Sequence, residues 1–454
     1  MALIDFANIR PAPFARMIGG ARKWLADKSH DALAQRIAGS AFLIRVASAG
    51  LIFIVQIFLA RWMGRFEFGI YIYVWTWVLL IGALAPLGLG YLAQRFIPEY
   101  SAKRDLKRLR GFLFASRWIC FGLGALAAIV GTLVILGLGE RIAAYYTLPF
   151  LIGLVCLPIF AVSSVQDSIA RSYNWIDLAL VPDYIAQPLL ILAFIASMHF
   201  AGMPVNAVAV LFAAVLAYWA MTLMQTGLLG RRLGTVVKPG PRRYDVAHWM
   251  QTALPVFLVD GCFFLLTYID ILLLELFVSP EEIAVYYAAV KTLALVAFIY
   301  FAVSAACAHR FAEYHASKNK KKLAAFVHQA TRMMFWPSLA MAAALVVFGK
   351  WILMLFGPGF EEGYPLILVL AIGLIARASV GPAERLLSMV GEQKICALVY
   401  AAAVLANIAL CFILVPRLGL IGAAASTASA LVLESILLFF AVKKRLGLHV
   451  FIWR

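Results

Sequence analysis

Apolar residues run through this chain in long unbroken windows rather than in the alternating or helical stripes of a soluble fold. About 20 apolar residues are needed to cross a ~30 Å hydrocarbon core. Windows of that kind recur near 37–60, 70–92, 118–138, 148–169, 178–198, 203–228, 250–276, 284–307, 333–356, 365–389, 395–415 and 422–442. The pattern predicts an all-α, polytopic membrane protein of about twelve spans. The segment from Gly349 to Phe356 is the place where a span could end early as a short interfacial helix.

Composition narrows the class further, with 64% apolar and 13% charged residues and a mean hydropathy of +0.93. The net charge of +17 falls mainly on alternate loops. If the N-terminus is cytoplasmic, one side collects the basic runs around Arg22–Arg36, Arg95–Arg117, Arg231–Arg243, Arg310–Arg332 and Lys443–Arg454, and the other keeps only Arg61, Arg65, Arg141 and Arg417. Short loops rich in Lys and Arg stay cytoplasmic, so both termini are expected inside. The charge is thereby accounted for by topology and attraction to anionic lipid, and no nucleic-acid partner is implied.

The large basic loops follow spans 2, 6 and 8. A shift of 215 residues superposes Tyr71 on Tyr286, Arg95 on Arg310, Phe96 on Phe311, Lys103 on Lys318, Lys107 on Lys322 and Arg117 on Arg332. Two six-span lobes are expected, a common transporter plan with the site at their interface. The division is a cytoplasmic tail 1–36, a first lobe 37–228, a basic linker 229–249 containing KPGPRR, a second lobe 250–442 and a cytoplasmic tail 443–454. The tail 1–36 lacks the apolar core of a cleavable signal and reads as a cytoplasmic or interfacial segment.

Charges inside the windows are the candidates for function, because a charge near the bilayer midplane is costly and usually faces a cavity or a partner. Arg45 shares a helical stripe with Ala49, Ile52 and Gln56; it either faces a cavity or snorkels to the interface. Lys291 has the same two options. Arg377 is too central to snorkel, and stands either in a cavity or in an ion pair with Asp260 or Glu434. Asp167, Asp183, Glu384 and Arg385 lie near window ends and read as interfacial or paired. The six cysteines lack metal or disulfide spacing and read as buried apolar residues.

Four local patterns carry a family resemblance: LARWMGRFEFGIY at 59–71, LGLGYLAQRFIPEY at 87–100, IAVYYAAVK at 283–291 and PRLGLIGAAAST at 416–427. In order and spacing they resemble the polysaccharide biosynthesis and export family of the multidrug/oligosaccharidyl-lipid/polysaccharide exporter (MOP) superfamily. The span count is closer to its twelve-helix branch than to the fourteen-helix lipid II flippases. Read physically, these blocks are turns and small-residue packing surfaces, so they identify a scaffold rather than a site.

The resemblance implies an O-antigen or exopolysaccharide flippase in the bacterial inner membrane. Its substrate would be a polyprenyl-diphosphate-linked oligosaccharide, as in lipopolysaccharide assembly, with membrane lipids and other polysaccharide-assembly proteins as partners. It also implies that spans 1, 2, 7 and 8 line a central cavity, which would bring Arg45, Asp260, Asp270 and Lys291 to the path. Arg45 and Lys291 would hold phosphate, and Gln56, Trp75 and Trp77 would meet sugar. A coupling Na+ or H+, as some relatives hold between spans 7, 11 and 12, would draw on Asp260, Asn407 and Glu434, with Arg377 beside them; a hydrogen-bonded structural network is the other reading of those residues.

Enzymatic classes fare badly. No segment is long enough for a catalytic domain, the seven histidines show no metal spacing and no Walker motif is present, so no cofactor is expected. A multidrug antiporter on the same scaffold, or a non-transporting scaffold of an assembly complex, are the competing functions.

Overall fold

The computed structural model describes the backbone of residues 30–317 and 319–453. It describes side chains from Ile44 onward, apart from several in the span-7 and span-8 helices, Asp260 and His309 among them. The described residues are mostly helical and contain no strand. The N-terminal segment 1–29 and the Asp260 side chain, both of which the sequence singles out, lie outside the described residues.

Helix α1 (His30–Leu84) is far longer than one crossing and turns at Gly64, whose φ of 77° and ψ of 169° belong to a region that side-chain-bearing residues avoid. After a short break come α2 (Leu89–Ala102), α3 (Leu106–Leu138), α4 (Ala144–Leu154), α5 (Leu157–Ser172), α6 (Ile176–Val181), a π-helical turn (Pro182–Ala186), α7 (Gln187–Phe200) and α8 (Ala207–Val236). The second half contains α9 (Val246–Leu274), α10 (Pro280–Ala316), α11 (Lys320–Met354), α12 (Tyr364–Ser379), α13 (Ala383–Met389), α14 (Gln393–Leu418) and α15 (Leu420–Leu446). Among the described residues eight helical runs are long and apolar enough to cross a membrane, or nine when α4 and α5, bent by 42°, count together. The run that includes both arms of α1 is one of the eight. Helix α11 passes through Gly349 unbroken to Met354.

Walking the chain places the ends of α2, α8, α10 and α15 on one face with the basic loops, and the Gly64 elbow on the other. Packing differs between these faces. At the elbow face one continuous apolar core joins both halves: Leu59, Phe68 and Tyr71 from α1 meet Tyr286 and Tyr287 from α10 and Phe356 and Phe360 that follow α11. At the basic face there are two separate cores, one around Phe96, Phe112 and Ile169 that also takes in Trp249 and Ala253 of α9 and one around Phe311, Leu387, Leu438 and Val450. The two halves share one core at the elbow, whereas at the basic face the first half meets the second through α9, with Trp249 donating its Nε1–H to the Tyr100 hydroxyl at 3.0 Å.

The elbow junction depends on close backbone approach. At Gly69 a Cβ would collide with the Pro280 carbonyl at the start of α10. Phe68 meets Tyr287 and Phe360 edge-on, at ring-centroid distances of 6.0 and 6.2 Å. Gly422 likewise leaves no room beside Leu414, which lets α14 and α15 form a tight hairpin. The C-terminal segment folds back onto the second half, with Ile452 N–H donating to the Ser379 carbonyl at 3.0 Å and the Thr331 hydroxyl to the Val450 carbonyl at 3.3 Å.

Candidate functional site

A cavity of ≈ 420 Å³ lies in the first half where it meets α9, walled by α1, α2, α5, the π turn and α8, and by Phe264 and Tyr268 of α9. The sequence reason is a polar stripe on α5. In SSVQDSIAR, Ser163, Asp167 and Arg171 recur at i, i+4 and share one helix face with Ser164 and Ser168. Opposite this stripe, Pro182 opens the π turn, because a proline supplies no N–H to the helical ladder. The widened turn carries Asp183 and Tyr184 into the cavity wall.

The charges here are held in an ordered way. The Ser163 hydroxyl lies 3.0 and 2.9 Å from the two Asp183 oxygens and donates to them. Gln225 donates its amide to Asp167 at 2.8 Å and to the Leu178 carbonyl at 2.9 Å. Arg171 stands 3.9 Å from Asp167. Arg45 is exposed to the cavity, its guanidinium 6.0 Å from the Tyr184 ring centroid, and no described carboxylate pairs with it. Hydroxyl and amide groups of Tyr91, Gln94 and Tyr268 complete the lining.

Of the two readings the sequence allowed, interfacial or paired, Asp167 takes the second through Arg171, and both it and the half-buried Asp183 line the cavity. Proximity to a window end hid them, and the i, i+4 polar stripe was the signal that could have found them.

Other sequence candidates sit elsewhere. Gln56 is buried on α1, near the Tyr71 hydroxyl, and its Oε1 has no hydrogen-bond partner. Trp75 packs against Tyr71 and Tyr218. Lys291 is half-buried with its Nζ 4.9 Å from the Tyr287 ring centroid. Asp270 is only 4% exposed; it accepts from the Tyr286 hydroxyl at 2.8 Å and from the Ile271 N–H at 2.9 Å, with Thr427 at 3.5 Å. That knot ties α9, α10 and α15 together.

Arg377 pairs with Glu434 at 3.3 Å, with the Glu434 side chain fully buried, and lies 4.5 Å from the Tyr300 ring centroid. Of the two partners the sequence offers, Glu434 is met here, and the Asp260 side chain lies outside the described residues. Asn407 accepts from the Cys411 thiol at 3.2 Å, while its amide nitrogen has no partner. Cys262 is half-buried and the other five cysteines are buried. No cluster of metal-ligating side chains occurs among the described residues.

Residues 36–315, more than half of the chain, match the polysaccharide biosynthesis protein family, and residues 255–413 match MatE. The chain belongs to the polysaccharide biosynthesis protein family. No curated protein matches the sequence. Among solved structures, an inward-facing multidrug resistance MATE family transporter of the MOP superfamily is similar with a TM-score of 0.73 and 15% identity, over 89% of this chain and 98% of that one. The lipid II flippase MurJ in an inward closed conformation gives 0.68 and 16%, over 88% and 87%. A MOP superfamily transporter from Pyrococcus furiosus, described as having a binding pocket of reverse polarity, gives 0.62 and 16%, over 90% and 95%. At these identities the likeness establishes the fold.

Proposed function

We propose that this protein is a flippase for a polyprenyl-diphosphate-linked oligosaccharide, working by alternating access in the bacterial inner membrane with both termini cytoplasmic. The observation that carries the reading is the cavity at the basic face. Its exposed cation, Arg45, has no described carboxylate partner, and its wall is rich in serine, tyrosine and amide groups. An arginine fork suits diphosphate oxygens, and hydroxyl and aromatic groups suit a sugar. The head group enters the cavity from the basic face while the polyprenyl chain stays in the bilayer, and the elbow face opens to release it. A flow of Na+ or H+ is the proposed driving force.

The multidrug-antiporter reading draws on a specific observation of its own, the carboxylates Asp167 and Asp183 in the same cavity. In this structure both are engaged, by Gln225 and Ser163, which leaves Arg45 as the cavity's unpaired charge. A scaffold without transport is disfavoured by the cavity itself.

Translocation of a labelled polyprenyl-diphosphate oligosaccharide in proteoliposomes tests the proposal. Wild-type protein is expected to move it, Arg45→Ala to lose at least about tenfold, in line with one charge-assisted phosphate contact of about 1.5–3 kcal/mol, and Lys291→Ala to lose less. Absence of wild-type transport across such lipids, together with ion-dependent efflux of a cationic dye, establishes the antiporter instead.

A further inference from the structure

A second pocket of ≈ 710 Å³ lies on the flank of the first half, between the basic-face ends of α3 and α8 and under the linker 238–244. It shares no residue with the central cavity. Four cations line it, Arg110, Arg117, Lys238 and Arg242, and no carboxylate does. We propose that it binds the phosphate group of an anionic phospholipid from the leaflet at the basic face.

The pocket is a built feature. Arg110 donates its Nε–H to the Lys238 carbonyl at 2.8 Å and an Nη to the Pro241 carbonyl at 3.4 Å. The Arg243 N–H donates to the Lys107 carbonyl at 2.9 Å, and Gly111 lets the Arg243 carbonyl rest directly on α3. The linker is thus a fixed wall. Arg242 stacks with its guanidinium 4.0 Å from the Phe114 ring centroid, a geometry that leaves its in-plane N–H donors free. Arg117 has a buried Nε without a partner. Cations gathered in this way favour an anion, and basic pockets between helices at the cytoplasmic side suit lipid phosphates.

The flank decides between a lipid and a soluble phosphate. Trp118 (61% exposed), Phe114 and Val236 (54% exposed) present apolar surface beside the cations, where acyl chains would lie. A soluble anion would leave that surface unused.

Full-length protein reconstituted in phosphatidylcholine nanodiscs containing phosphatidylglycerol, followed by native mass spectrometry of retained lipid, tests the site. Wild-type protein is expected to retain phosphatidylglycerol over phosphatidylcholine. The pair Arg117→Gln with Arg242→Gln should bind it about thirty-fold more weakly, the effect of two basic residues near a membrane surface; the pair Arg117→Lys with Arg242→Lys should keep most of the preference. Should the glutamine pair not fold, Lys238→Gln alone is expected to weaken retention about fivefold. Retention unchanged in folded glutamine variants overturns the site. Displacement of the lipid by an equal concentration of inorganic phosphate overturns its assignment to lipid.

Discussion

The two halves treat their buried charges in opposite ways. In the first, Arg45, Asp167, Arg171 and Asp183 line the cavity. In the second, Arg377 and Glu434 face each other between α12 and α15, and Asp270 is closed in by Tyr286 and Thr427. A charge in a membrane helix is therefore not by itself a sign of function. What separates the two halves is whether the charge meets a cavity or a partner, since a buried pair can serve only to hold helices.

The sharpest way to break this contrast is to remove one member of the sealed pair. Glu434→Ala leaves Arg377 buried without its counter-charge, and breaking such a pair costs about 3–5 kcal/mol. A large fall in the thermal unfolding midpoint of the reconstituted protein is expected. Replacing both, Arg377→Met with Glu434→Leu, should recover most of that stability and leave translocation per folded molecule within about threefold of wild type, because an apolar replacement of a buried pair is often neutral. A folded double variant that no longer transports would assign the second half a direct role and erase the distinction.

The junction between the halves gives the next effect. Any side chain at Gly69 collides with the Pro280 carbonyl, so Gly69→Val should prevent the elbow face from closing. Spin labels at Arg65→Cys and Glu362→Cys are expected to report a longer distance in Gly69→Val than in its absence, and translocation should fall at least about tenfold, since ~1.4 kcal/mol against one of two required states already costs that factor. An unchanged distance would show that the helices slide to accommodate the branch.

Much of the architecture was legible in the chain because membrane helices announce themselves by length and apolarity. Gly64, Gly69, Gly419 and Gly422 stood in the quoted blocks as turn and close-packing positions, and the structure uses them so. Arg377 could be recognised as too deep to snorkel, but its pairing with Glu434 needed three dimensions. Asp167 and Asp183 were read as interfacial or paired and not as cavity groups because hydropathy weighs position along a window, whereas a cavity is set by which face of a helix is polar. Asp270 was placed on the path by family resemblance, and its neighbours Tyr286 and Thr427, 16 and 157 residues away in sequence, leave no local trace.

Within the cavity, Ser163→Ala should act more gently. The hydroxyl satisfies Asp183, and a hydrogen bond to a charged group is worth about 1.5–3 kcal/mol when buried; water in the cavity can replace part of it. A several-fold change in transport with little change in unfolding midpoint is expected. The matching change in the second half, Thr427→Val, removes only longer contacts, at 3.5 Å to Asp270 and 3.2 Å to Tyr286, and should leave transport unaltered. Equal effects of the two would mean that the cavity-facing position of Asp183 carries no special weight.

The smallest effect is expected at the most visible ion pair. Arg65 reaches Glu362 at 3.2 Å across the elbow face, but the side chains are 36% and 67% exposed, and such pairs contribute about 0–1 kcal/mol. Closure there is carried by the backbone contact at Gly69 and by rings: Phe68 against Phe360 and Tyr287, and Phe53 against Phe356 with centroids 5.5 Å apart. Arg65→Ala should therefore leave the unfolding midpoint and the translocation rate close to wild type, with at most a loss of the weak salt dependence that a screened surface pair confers. If Arg65→Ala instead opened the elbow as far as Gly69→Val, electrostatics rather than packing would be holding the halves together. The Arg65 bond to the Gly359 carbonyl, at 3.3 Å, would then be the contact to remove next, because it ties the same arginine to the loop whose Phe360 completes the shared core.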